Sequence, residues 1–173
     1  VAGHNGLVGS SIVNCLKYYG YENILTKDRS ELDLLDQKST KLFFKNEKPD
    51  NVICAAAKVG GIYANQIHPA QFLFENLAIQ NNLIHFSHQY GVKHLLFLGS
   101  ACIYPKYADQ PIKEDSMLSG PLEPTNEPYA LAKIAGIKLC ETYHKQYSDN
   151  FISVMPNNLY GPNDNFDPDT SHV

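Results

Sequence analysis

Apolar runs of strand length, set between helix-length patterns, constrain this chain more than any other feature. "NVICAAA" at 51–57 and "LLFLG" at 95–99 are apolar at successive positions, so strands built from them are covered on both faces. Between them, residues 68–90 read as one long helix, with Gly91 placed to end it. Val1-Ala2 reads as the end of an earlier strand. "ENILT" at 22–26 reads as a short strand, and "NFISVMPNNLYG" at 150–161 as a strand and a loop. Three further helical patterns separate these runs. Residues 7–19 place Val8, Ile12, Cys15, Leu16 and Tyr19 at helical spacing and stop at Gly20. Residues 37–46 end before Pro49, and residues 128–147 start on a proline that suits the first helical position. Strand, helix, strand in this order implies crossovers between parallel neighbours. The expected fold is one doubly wound α/β domain over residues 1–173, with no repeat or linker.

A chain of 173 residues can bury one substantial core. Its net charge is −4 and no stretch is rich in lysine or arginine, which speaks against a nucleic-acid or anionic-membrane partner. No apolar run reaches the ~20 residues that span a bilayer. The four cysteines form no CxxC pair, so zinc is not expected. Cys15, Cys54 and Cys140 sit in apolar patterns and read as core residues, reduced in a cytoplasmic protein. The chain opens where a buried strand should already be running and stops at "DTSHV" without a closing element. It therefore reads as cut short at both ends.

Between the first strand and the first helix lies "GHNGLVG", with Gly3, Gly6 and Gly9 three apart. A tight turn, a close approach of backbone to a pyrophosphate, and helix-on-strand packing each favour glycine. The helix then presents its first amides to the phosphates. At the end of the second strand, "LTKDRSEL" offers Lys27, Asp28 and Arg29. Arg29 is the candidate clamp for a 2′-phosphate, which favours NADP(H) over NAD(H).

In "TNEPYALAK", Tyr129 and Lys133 stand four apart and share a helix face. An ammonium beside the phenol should draw its pKa from about 10 toward working pH. Such a tyrosine can protonate a ketone oxygen while hydride arrives at carbon. Ser100 follows "LLFLG" at a strand's carboxyl end, where ligands of open parallel sheets bind, and could bond the same carbonyl.

With "AGHNGLVGS", "AAAKVGGI", "LLFLGSACIYPK", "LEPTNEPYALAKIAGIKLCE" and "NLYGPNDNF", the chain resembles the extended short-chain dehydrogenase/reductase superfamily along essentially its whole length. Within it, the similarity is to the epimerase/reductases of GDP-bound keto sugars. The resemblance implies a Rossmann-type domain whose substrate-gripping C-terminal segment is missing. It also implies epimerisation at C3 and C5 followed by reduction at C4 with NADPH. It assigns Ser100, Tyr129 and Lys133 to the reduction, and Cys102 and His172 to the two proton transfers. It sets Gly3, His4, Asn5, Gly6, Leu7, Val8 and Gly9 around the cofactor, with Arg29, Leu98, Gly99, Ser100, Ala101 and Lys133. Pro156, Asn157, Asn158, Leu159 and His172 complete that lining. Asn5 stands where relatives often carry a basic residue, and Ala101 and Asn157 replace an expected serine and threonine. Small residues on the long helices (Ala78, Ala132, Ala135, Gly136) fit a homodimer through those helices, or close packing on the chain's own sheet.

Two other readings compete. A nucleotide-sugar 4,6-dehydratase or 4-epimerase shares the glycine turn and the Tyr-Lys pair, but a dehydratase would show Thr-Asp-Glu where this chain has Ser100-Ala101-Cys102. A dinucleotide-sensing scaffold would not need Tyr129 and Lys133.

Overall fold

The computed structural model describes residues 1–167 and 171. Helix α1 (Leu7–Tyr18) follows the glycine turn, and α2 (Gln37–Glu47) is capped by Asp36, whose carboxylate accepts the Lys38 amide. Strand β1 (Asn51–Cys54) leads through α3 (Ile62–Ile67) and α4 (Pro69–Gln89) to β2 (His94–Leu98). A short 3-10 turn, Ala101–Ile103, begins the long connection to α5 (Glu127–Tyr147), and β3 (Phe151–Val154) ends the sheet. The three strands pair in parallel in the order β1-β2-β3, with Val52 opposite Leu95 and Leu96 opposite Ile152. Ala2 bridges in parallel to Cys54 on the other side of β1.

The Val1 ammonium donates to Leu25 O at 2.8 Å, on the far side of Ala2 from β1. The chain therefore leaves the first strand in one direction and returns on the other side of it. That reversal puts a crevice beyond the carboxyl ends of Ala2 and β1, the preferred ligand position in open α/β sheets.

Two expectations need correction. Residues 22–26 form no strand. The segment turns back on itself instead, Ile24 N–H donating to Glu22 O at 3.0 Å. Cys15 is exposed rather than in the core, because Ile12 and Leu16 take the inward row of α1 and Cys15 falls beside it. Cys54 and Cys140 are buried as expected, and burial pushes both thiols well up, Cys140 to about 11.

Helices α4 and α5 pack on each other and on the sheet around Ile84, Leu95, Phe97, Ile134 and Ile137. Ala132 and Gly136 face this interior, so those two small residues serve packing within the chain. A Cβ on Gly136 would sit 2.7 Å from Phe97 Cε1 and 2.9 Å from Gln80 Oε1. Alanine gains about 1 kcal/mol of helix propensity over glycine, but overpacking costs about 1–3 kcal/mol. The Phe97 ring is buried and cannot swing aside, so Gly136→Ala should lower the urea midpoint; an unchanged or higher midpoint would contradict this packing. Among the described residues, no helix is long and apolar enough to cross a membrane.

Candidate active site

Every described residue expected around cofactor and substrate lines a single cleft of about 570 Å³ at the carboxyl edge of the sheet. The glycine turn forms one wall, residues 27–29 another, and the segments after β1, β2 and β3 complete it with Tyr129 and Lys133 of α5. His172 lies outside the described residues. A second cavity of about 460 Å³, lined by Leu16, Tyr21, Leu25, Phe43 and Val52, is mainly apolar and holds none of the Ser, Tyr, Lys and Cys candidates.

The three glycines of the turn do different jobs. Gly3 has φ +80°, and a Cβ there would meet Ala56 N at 2.6 Å and Ala55 C at 2.7 Å. A Cβ on Gly9 would strike the Gly3 carbonyl, lying 2.6 Å from Gly3 C and 2.9 Å from His4 Cα. These two glycines let strand, turn and helix touch. Gly6 is different: a Cβ there would meet only Gly3 O, at 3.6 Å. Gly6 is also the N-cap of α1 and brings no side chain to its first amides. Those donors are left for an external acceptor, and the bare turn gives a phosphate room to reach them. The cradle fits a dinucleotide pyrophosphate.

At the outer rim, Asn5 Nδ2 donates to Asp28 Oδ1 at 2.6 Å, and His4 Nε2 lies 3.3 Å from the same oxygen. Asp28 thus ties the glycine turn to the second strand position. Arg29 lines the cleft with its side chain 72% exposed and its Nε 3.8 Å from Asp33, while Lys27 pairs with Glu31 at 3.1 Å. A loosely held, exposed guanidinium is free to turn toward an incoming phosphate.

Deeper in, Lys133 is only 4% exposed, and its Nζ donates to Leu98 O at 2.7 Å. It stands 4.9 Å from the Phe97 ring centre and 5.7 Å from that of Tyr129. Burial lowers its pKa to about 8, so it keeps its proton at neutral pH. Tyr129 departs from the sequence expectation. Its phenol is pushed up to about 12, first by burial and then by Cys102, while a hydrogen bond with Ser100 pulls the other way. Burial, not the ammonium, dominates this phenol's acidity, and the Lys133 Nζ donates to the Leu98 carbonyl. The phenol therefore keeps its proton at neutral pH.

Cys102, half-buried in the 3-10 turn, donates its backbone N–H to Ser100 Oγ at 3.3 Å and receives Asn126 Nδ2 on its sulfur at 3.2 Å. Ser100 links the thiol's backbone to the phenol. Two contributors escaped sequence reasoning. Asn126 is one. The other is Asn76, buried in α4, which accepts the Lys58 N–H at 2.8 Å and donates to Lys58 O at 3.0 Å, holding the loop after β1 against the cleft. A signal for Asn76 existed: Phe72, Asn76 and Gln80 share one helical row, and polar residues among apolar ones on a buried row have been given partners.

The model of the NAD dependent epimerase/dehydratase family matches residues 1–173. A putative GDP-L-fucose synthase of Arabidopsis thaliana is 60% identical over 173 residues, covering all of this chain and 53% of its own length. The GDP-L-fucose synthase of Escherichia coli K12 is 56% identical over 173 residues, with 54% of its length covered. Among solved structures, a GDP-D-glycero-L-gluco-heptose synthase from Campylobacter jejuni, crystallised in the presence of NADPH, superposes with a TM-score of 0.93 at 44% identity; the match covers 99% of this chain and 50% of that one. The chain spans about half the length of the relatives it matches.

Proposed function

Since the chain belongs to the NAD dependent epimerase/dehydratase family, we propose that it is the cofactor-binding part of an NADPH-dependent epimerase/reductase converting GDP-4-dehydro-6-deoxy-D-mannose to GDP-L-fucose. The observation that carries this reading is the gathering of Ser100, Cys102, Tyr129 and Lys133 in one cleft with the glycine turn. High identity to two proteins named GDP-L-fucose synthase supports the substrate, and the relative crystallised in the presence of NADPH supports the cofactor.

The residues divide the chemistry between them. A proton beside the C4 ketone is acidic because the enolate charge rests on the carbonyl oxygen, toward which Tyr129 and Ser100 can donate. Cys102 and His172 share the proton transfers, one removing a proton from C3 or C5 and the other returning one. Thiol and imidazole suit that exchange because each can give a proton and, once deprotonated, take one. Tyr129 then protonates the C4 oxygen as the carbonyl is reduced. Bound NADPH would supply the hydride, its phosphates on the amides of α1 and its 2′-phosphate toward Arg29. Lys133 orients the cofactor and keeps positive charge beside the developing oxyanion.

The full-length protein would be incubated with the keto sugar nucleotide and NADPH in heavy water. Deuterium entering at two carbons together with NADPH oxidation is the expected outcome. Wash-in without net oxidation would show epimerisation without the reductase step and would point away from this reading. Cys102→Ser should cut deuterium entry by about 10²–10⁴-fold and spare reduction of a pre-epimerised ketone; equal losses in both steps would make the residue structural.

The same reading carries two corollaries. A homodimer through α4 and α5 would cover Phe74 and Leu131, which stand 68% and 43% exposed on their outer faces. A cytoplasmic setting fits the exposed free thiol of Cys15, which an oxidising compartment tends to pair.

A further inference from the structure

Asn126 holds the N-cap position of α5, where asparagine ordinarily turns its side-chain oxygen onto the helix's first amides. Here no side-chain bond caps the helix. The amide is used elsewhere: Nδ2 donates to Cys102 Sγ at 3.2 Å, across a separation of 24 residues. Its Oδ1 is buried and has no partner among the described residues. A capping residue would have spent that oxygen on the helix, because a buried unbonded carbonyl is costly. The side chain has been turned away from the role its position offers and toward the thiol.

We propose that Asn126 is a positioning residue for Cys102: its amide N–H holds the sulfur and stabilises it when it carries charge. This rests on the acid/base role proposed above for Cys102. A group that gives and takes a proton within one cycle needs a partner that donates to the anion without trapping it. A neutral amide meets that need better than a fixed cation, which would hold the thiolate too tightly to be reprotonated. Lys133, the buried cation of this cleft, donates to Leu98 O. The orphaned oxygen follows from the same arrangement, since an amide whose nitrogen faces the sulfur directs its oxygen to the other side.

The test compares Asn126→Ala and Asn126→Asp in the full-length protein. Aspartate caps a helix about as well as asparagine and alanine does not, so a structural role ranks the variants Asn ≈ Asp > Ala. Aspartate also keeps the side chain's shape while replacing the N–H₂ by a negative oxygen against the sulfur. A positioning role therefore ranks Cys102 reactivity Asn > Ala > Asp. The readout is the rate of iodoacetamide labelling of Cys102 at neutral pH, followed by peptide mass, with exposed Cys15 as internal reference. Labelling should slow about tenfold in the alanine variant, as expected for one lost charge-assisted hydrogen bond, and further in the aspartate variant, with Cys15 unchanged. Equal rates in all three proteins, or aspartate matching asparagine, would overturn the proposal. Deuterium wash-in should follow the same order. If labelling follows it and wash-in does not, the contact between Asn126 and the sulfur stands and the acid/base role of Cys102 falls.

Discussion

Tyr129→Phe is expected to lower ketone reduction by about two to four orders of magnitude while NADPH still binds. The expectation follows from what the phenol can give. Burial holds it protonated, with a pKa of about 12, and Ser100 fixes its direction by a hydrogen bond. The alkoxide that forms at C4 is a far stronger base than a phenolate, so the proton passes downhill once hydride begins to arrive. Phenylalanine keeps the ring in its edge-on contact with Phe72, 6.4 Å between centres, and removes only the hydroxyl. The fold should therefore survive. Full-length protein, assayed for NADPH oxidation with the keto sugar and for NADPH binding by fluorescence, separates the two effects. Deuterium wash-in should fall as well, by about 10²–10³-fold, because the same hydroxyl stabilises the enolate oxygen. Turnover retained at the parental rate would remove Tyr129 from the chemistry and the reductase reading with it.

Gly9→Ala should be severely damaging for so small a substitution. The added carbon would run into the Gly3 carbonyl, with Gly3 C at 2.6 Å and His4 Cα at 2.9 Å. All three atoms are backbone, so no rotamer change relieves the contact and α1 must lift from the turn. Overpacking of this kind costs about 1–3 kcal/mol or more. It also displaces the first amides of α1, which the proposed function assigns to the cofactor's phosphates. Thermal midpoint and NADPH affinity should fall together. Gly6→Ala makes the informative contrast, because its Cβ would meet nothing closer than Gly3 O at 3.6 Å. That variant should melt normally and lose affinity, since its methyl group stands where the phosphates approach. A Gly9→Ala protein with parental melting and affinity would show that strand and helix do not close on each other as described.

Part of this was legible in the sequence for a definite reason. Helices α1, α4 and α5 were anticipated to within a few residues because each carries its own periodicity and punctuation: Gly20, Gly91 and the Pro128 start. The apolar runs that became β1 and β2 were equally self-declaring. Residues 22–26 misled because a strand exists only through a ladder with its neighbour, and here Ile24 N–H bonds back to Glu22 O within the segment. Cys15 misled because an apolar helical row spreads over a broad arc, and composition does not say which flank meets the core.

The sequence by itself determined the order of elements, the three-residue spacing of Gly3, Gly6 and Gly9, and the shared helix face of Tyr129 and Lys133. All of these depend on interactions within a few residues of chain. Only the tertiary structure decided how the groups are tuned: Lys133 bound to Leu98 O across 35 residues, Tyr129 kept protonated by burial, and Cys102 held by Asn126. Desolvation and long-range hydrogen bonds arise from the packing of distant segments, so no local spacing in the chain encodes them.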